Sequence, residues 1–382
     1  MKDVIVFGGT TLGSVLDICE VVRNNGAKTY VITFDGLEYS DIYRSSVYVT
    51  DAFSVEPESL QTFLTLKIQD GTFDNQPIMY FTTDESCLLI NRNRDWYEKY
   101  FTLCLPSSYI VESFNDKSAA AIEAKKNGLL VPETTVIKNR QDKSSVETKF
   151  NFPVVLKPIT YKNKKELRFK YKIAFHDEFD QSVNQILSKG DNVLCQEYII
   201  GEDTDIWFYI FYRSSEGIIT RCTGRKKVQA NGIMAVGETL YNSEVDTICT
   251  NFINRIDYVG IGGIELKCCN NMYYFIEMST RLEGFHKISS YSNCHISQSS
   301  YYNLCDSVYE SKGSALNNIV YYALFPWLFH SLRNFSLSFI KDLCNLIFTK
   351  MSFMDCTFRD IRPYIKCFNF FIKRKYHKSI VR

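Results

Sequence analysis

The first 33 residues constrain the fold more than any other stretch. Val4 to Phe7 is an unbroken apolar run, and the turn GGTTLG (Gly8 to Gly13) follows it. An amphipathic helix is expected over Val15 to Asn25, stopped by Gly26, and AKTYVIT then reads as a second strand. A strand, a tight turn, a helix and a second strand can bury their apolar faces together only as part of a parallel, Rossmann-like sheet. The glycines do not fit G-x-G-x-x-G, and no acidic residue sits cleanly at the end of the second strand. A substrate-side domain is therefore expected rather than a dinucleotide site. IMYFTTDES (Ile78 to Ser86) is a further strand running into a helix start, where Thr83 or Asp84 would cap the free N–H groups.

At 382 residues the chain exceeds one core, so two or three domains are expected. Hydrophobic residues at 45% and charged residues at 23% exclude disorder, and a net charge of +1 gives no global field for nucleic acid. The 13 cysteines form no C-x-x-C; with no signal or transit peptide they read as reduced cytosolic thiols. No run approaches the ~18 apolar residues of a spanning helix. Composition shifts divide the chain into residues 1–105, 106–192, 193–315 and 316–382. In the second segment SFNDKSAAAIEAKKNGLLVPETTVI predicts a capped helix over Asp116 to Asn127, a stop at Gly128 and a strand after Pro132.

Four pieces then stand in order. Lys157 ends the buried strand FPVVLKP, where a point charge can reach a phosphate. Gln196-Glu197 precede Tyr198-Ile199-Ile200, an extended apolar segment that suits an adenine edge. The acidic loop Glu202, Asp203, Asp205 follows, with a carboxylate for ribose hydroxyls. Last come two strand carboxylates, Glu265 and Glu277. A turn near Asn270-Asn271 sets them roughly opposite each other, with Ser279 and Arg281 continuing the face of Glu277. Two such carboxylates suit Mg²⁺, which takes oxygen ligands and shares its sphere with phosphates and water. The plain alternative is the polar outer side of a hairpin; strongly apolar flanks on both strands favour a semi-buried cleft.

These residues resemble the ATP-grasp superfamily over roughly Lys117 to Arg281. The resemblance implies an α/β (α+β) ATP-grasp fold with an N-terminal Rossmann-like pre-ATP-grasp domain (1–105). A small lobe carrying the ATP lysines (106–192) and a large lobe carrying the adenine, magnesium and acyl-phosphate sites (193–315) would follow. A helical, basic C-terminal extension (316–382) ends the chain. Residue by residue it implies ATP contacts at Lys117 (NDKSAAA), Lys157 (PVVLKP), Gln196, Glu197, Tyr198 and Ile199 (QEYI), and Asp203 (GEDTD). It places the metal at Glu265 (GIELK), Glu277 (FIEMSTR) and Ser279, where the family more often has Asn. Arg281 would hold the oxygen that becomes negative in the reaction, and Arg225 would add positive charge for phosphoryl transfer. Many relatives have glycines after the second lysine; PITYKNKKELRFKYK instead offers Arg168, Lys170 and Lys172.

The implied activity is an ADP-forming carboxylate-amine ligase that uses ATP and Mg²⁺, with Mn²⁺ as an alternative metal, and passes through an acyl phosphate. GRKKVQANG and MDCTFRDIRPYI resemble a bacterial branch with peptidoglycan D-aspartate ligase and ligases of surface-polysaccharide synthesis. That narrower likeness implies an amino acid as the carboxylate and a lipid-linked saccharide as the amine. The alternatives are a soluble dipeptide or amino-acid ligase, and an ATP-binding protein without catalysis. Of the five histidines only His286 lies near this set, and a core role is expected for it. Residues 331–382 carry eleven Lys and Arg against three Asp, interleaved with Phe and Leu. This tail is expected either to touch an anionic membrane surface from the cytoplasmic side or to pack on the ATP-binding domain.

Overall fold

The computed structural model describes residues 1–9, 11–73, 75–159, 171–230, 232–309, 315–333 and 337–380. The three expected strands form as β1 (Val4–Phe7), β2 (Thr29–Thr33) and β4 (Ile78–Phe81), and two short strands without an apolar run join them, β3 (Asp51–Ser54) and β5 (Thr102–Leu103). All pair in parallel, in the order β3-β2-β1-β4-β5. β1, β2 and β4 are buried along their whole length, which is why they read as continuous hydrophobic runs. The connecting helix Leu12–Asn24 is an element of this unit, and helix Asp84–Asn91 is capped by Thr83, whose hydroxyl accepts from Ser86 N.

A four-stranded antiparallel sheet follows, in the order β6-β9-β7-β8: β6 (Thr134–Ile137), β7 (Val154–Pro158), β8 (Lys172–Ala174) and β9 (Val193–Glu197). β9 opens the segment expected as the large lobe, yet it pairs with both β6 and β7, since Leu194 and Cys195 belong to that buried sheet. Helix Lys117–Lys126 starts where the Asp116 carboxylate accepts from Ser118 N and Ala119 N. It ends before Gly128, whose φ of +91° suits a residue without Cβ.

The largest sheet has the order β14-β13-β10-β11-β12-β15-β16. Its strands are β10 (Ile206–Arg213), β11 (Ile219–Ala230), β12 (Ile233–Thr239), β13 (Gly260–Cys269), β14 (Met272–Ser279), β15 (Val320–Tyr322) and β16 (Ser352–Met354). One face packs Tyr209, Phe211, Ile264 and Leu266 against Ile110, Phe114, Ala120 and Ala124 from the two helices that follow the first unit. The other packs Phe208, Ile210 and Ile261 in a core shared with β1, β2 and helix Leu12–Asn24. Glu265 and Lys226, described below, lie on that second face.

The C-terminal segment is helical over Leu324–Arg333, Leu337–Phe348 and Arg362–Ile380, and it adds β16 parallel to β15 at the edge of the large sheet. It packs on the first unit as well as at the edge of the large sheet. Asp360 accepts from Ser46 Oγ at 2.5 Å and Val47 N at 3.0 Å, and Tyr39 meets Phe370 edge to face. Among the described residues no helix is long and apolar enough to cross a membrane.

Candidate active site

The β13–β14 hairpin aligns the two carboxylates through a detail the sequence does not display. Asn270 and Asn271 both have positive φ, +51° and +60°, as a two-residue turn of the twisted kind needs, and they pair Cys269 with Met272. Continued without interruption, that register would set Glu265 opposite Ile276. A β-bulge takes up the extra residue, so Glu265 stands opposite Glu277 and Ser279 stands opposite Gly263. Glu265 is buried, Glu277 is exposed toward the cleft, and Ser279 is buried.

The cation that meets Glu265 is Lys226, whose Nζ donates to Glu265 Oε2 at 2.6 Å with both side chains almost fully enclosed. Arg225, the neighbouring position, points to the opposite face of β11 and pairs with Glu238 at 3.4 Å. Alternation along the strand decides this. Gly224 and Glu265 both lie opposite Phe208, so Lys226, two residues past Gly224, shares their face. Burial lifts the Glu265 carboxyl to about 7; Lys226 pulls it down, while Glu277 and Glu283 push it up. Burial also works against the Lys226 charge, but Glu265 and Glu277 outweigh it and hold the ammonium above its usual range.

Lys226 also donates to Gln229 Oε1 at 3.2 Å. Gln229 in turn donates to Asp203 through its backbone N (2.7 Å) and its Nε2 (2.8 Å). One chain of hydrogen bonds therefore runs from Glu265 to Asp203. Lys157 Nζ donates to Gln196 Oε1 at 3.0 Å, and Gln196 Nε2 donates to Thr134 Oγ1 at 3.2 Å. Lys117 Nζ donates to the Pro158 carbonyl at 3.0 Å. Desolvation lowers both lysines, Lys117 to about 8 with help from the nearby Lys157 charge. The Glu277 charge acts on both in the opposite sense, and Glu265 adds to it at Lys157.

Along the adenine segment, Glu197 exchanges contacts with Glu133: its backbone N donates to Glu133 O at 2.8 Å, and its Oε2 accepts from Glu133 N at 3.2 Å. Ile199 is buried, and the Tyr198 ring lies 5.8 Å from Lys267 Nζ. Lys172 lies on β8; Arg168 and Lys170 are outside the described residues.

Arg281 is held more tightly than the sequence suggests. Its Nε donates to Asp84 Oδ1 at 2.5 Å and its Nη1 to the Leu282 carbonyl at 3.1 Å, with Glu283 Oε2 3.8 Å away. Burial opposes its charge, and Asp84 and Glu283 more than offset that, so it stays protonated throughout. Sequence reasoning passed over Lys226 and Glu283. Strand parity relative to Gly224 is the signal that could have found Lys226; nothing in the pattern marks Glu283. His286 is fully enclosed, neutral, and held by burial down to about 3.

Two opposed carboxylates with oxygen donors and a cleft side fit Mg²⁺ chemically. Among the described residues no group of three His, Cys, Asp or Glu could hold a metal, so phosphate and water would complete the sphere.

No protein-family model and no curated protein matches the sequence. Solved structures do resemble it. The ADP complex of PurK, N5-carboxyaminoimidazole ribonucleotide synthetase, superposes with a TM-score of 0.69 at 14% identity, covering 90% of this chain and 86% of that one. The biotin carboxylase domain of Hydrogenobacter thermophilus 2-oxoglutarate carboxylase, solved with MgADP and bicarbonate, gives 0.65 at 16% identity over 84% and 73%. The Aspergillus clavatus N5-carboxyaminoimidazole synthase, solved with ADP and 5-aminoimidazole ribonucleotide, gives 0.63 at 12% identity over 81% and 78%. The chain has the ATP-grasp fold.

Proposed function

We propose that the protein is an ATP- and Mg²⁺-dependent carboxylate-amine ligase that releases ADP. The observation that carries this is Glu265 standing opposite Glu277 on the β13–β14 hairpin, with the Glu277 charge felt by both Lys117 and Lys157. Carboxylates do not react with amines at neutral pH, and phosphorylation supplies a leaving group. That transfer needs positioning and neutralised charge more than covalent help. Lys117 and Lys157 would contact phosphate oxygens, with the Lys157–Gln196 bond holding the lysine in place beside the adenine segment. Tyr198 and Ile199 would wall the base, and the backbone of Gln196 and Glu197 would meet its edge. Asp203, already oriented by Gln229, would take the ribose. Glu265 and Glu277, with Ser279 alongside, would hold the metal, which neutralises phosphate charge when bound. Arg281 would steady the acyl oxygen, and Arg225, on the far face, would act only through Glu238. Incubation with ATP, Mg²⁺, a panel of carboxylic acids and hydroxylamine tests this: one acid should give a hydroxamate with ADP and phosphate. AMP and pyrophosphate would mean an adenylate and would refute it.

The tail supports a cell-surface glycan precursor as acceptor, with the enzyme seated on the cytoplasmic face of an anionic membrane. All three acidic residues of 331–382 are turned inward. Asp342 accepts from Trp327 Nε1, Asp355 from Leu324 N and Asp360 from Ser46 and Val47. The exposed charge of this segment is thus basic. On helix Leu337–Phe348, Ile340, Leu343 and Ile347 form an exposed apolar stripe at helical spacing. Flotation with anionic liposomes at low salt should carry the intact chain; failure to float would leave a soluble acceptor.

A further inference from the structure

Resting on the ligase proposed above, we infer that Glu283 is the receptor for the amine substrate, which arrives as a primary ammonium. Glu283 is nine-tenths buried, and its Oε1 has no hydrogen-bond partner. Its Oε2 lies 3.8 Å from Arg281 Nη1, an ion-pair distance but too long for a hydrogen bond. Arg281 already spends its Nε on Asp84 and its Nη1 on Leu282 O. The guanidinium thus faces two carboxylates, and the one inside the protein lacks donors. A buried carboxylate in that condition is costly unless a ligand supplies N–H groups.

Gly263 lets the Glu283 carboxylate lie against the hairpin. A Cβ there would lie 2.8 Å from Glu283 Cγ and 3.0 Å from Oε1, so any side chain at 263 would displace the carboxylate. Gly263 stands opposite Ser279 and two residues from Glu265, which sets Glu283 beside the carboxylate pair. The loop carrying Glu283 is pinned to the first unit: Ser14 Oγ donates to Glu283 O at 2.5 Å, and Leu282 N donates to Phe81 O at 3.0 Å. The amine would therefore enter between the first unit and the β13–β14 hairpin.

In the transfer step the ammonium gives one proton to Glu283. Its nitrogen lone pair attacks the acyl carbon, the C–N bond forms, and the C–O bond to phosphate breaks with the electron pair leaving on phosphate. A second nitrogen proton ends on that phosphate, and the amide keeps the third.

Hydroxylamine tests the assignment because it is neutral at pH 7 and has no ammonium proton to give up before attack. Wild type and Glu283→Gln are compared with hydroxylamine and with methylamine, ethanolamine and D-glucosamine as nucleophiles. The ratio of hydroxylamine to amine turnover should rise about 10- to 100-fold in Glu283→Gln, matching the loss of one charge-assisted contact. An unchanged ratio overturns the assignment. A crystal of the full chain with ADP, Mg²⁺ and methylammonium should show the cation on Oε1; water or a metal there overturns it too. Should wild type form no hydroxamate with any acid, the ligase proposal fails, and the methylammonium density still decides the site.

Discussion

Replacing Lys226 by Met removes a charge and keeps most of the volume. In the metal-free protein this leaves Glu265, 6% exposed, without its partner at 2.6 Å. Breaking one side of a buried ion pair costs about 3–5 kcal/mol, because the remaining charge is neither hydrated nor matched. The loss has an outlet in protonation. Glu265 already sits at about 7 with Lys226 holding it down, so in Lys226→Met it rises further. Denaturant unfolding in EDTA should therefore show the full cost near pH 8 and a much smaller one near pH 5.5, roughly 1.4 kcal/mol being recovered per pH unit below the new pKa. The double variant Lys226→Met, Glu265→Gln buries no unpaired charge and should return to within about 1 kcal/mol of wild type. A single variant within about 1 kcal/mol of wild type near pH 8 would refute the pairing, as would a double variant no better than the single.

Glu277→Gln should fold normally yet lose turnover, since an amide cannot neutralise a metal; near-normal ADP formation at modest Mg²⁺ would remove Glu277 from the site. Lys157→Ala should weaken ATP binding by about 1.5–3 kcal/mol and leave carboxylate affinity largely alone, as calorimetry with each ligand would show; equal losses would make the lysine structural. Asp355 is raised by burial to about 6, above its unfolded value of 3.8. A carboxyl raised in this way stabilises the fold at low pH and loses that contribution as pH rises through 6, about 3 kcal/mol in all. Asp355→Asn should flatten the stability profile between about pH 4 and pH 6.5, and an unaltered profile would contradict the burial.

The first unit was legible because β1, β2 and β4 are buried on both faces and spell their strands as apolar runs. The hairpin was legible from Asn270-Asn271, but not the bulge at Ile276, which depends on how β14 settles against β13. Lys226 and Arg225 are equivalent in composition; only pairing across β10 decides which faces Glu265. Glu283 was invisible for a different reason. Its significance comes from what its Oε1 lacks and from its close approach to Gly263, and neither is a property of local sequence. The tail read as basic and amphipathic, while its β16 pairing with β15 and its seat on residues 46 and 47 are long-range contacts without a local pattern.

The hydrogen-bond chain from Glu265 through Lys226 and Gln229 to Asp203 ties the end of the cleft proposed for the metal to the end proposed for the ribose. Each link uses a side chain of β11 or the loop packed against it, so the spacing of the two ends is set by a strand rather than by a mobile connection. A rigid span of this kind lowers the cost of ordering the site when nucleotide arrives. It also implies that Lys226 carries two tasks. It is the counter-charge that lets Glu265 be buried, and in the proposed ligase it would be one more cation beside the phosphates. The Glu265–Lys226 pair is thus better viewed as a preformed electrostatic slot than as a contribution to stability. In the proposed ligase its charges would serve the reaction, and the fold keeps them matched until reactants enter.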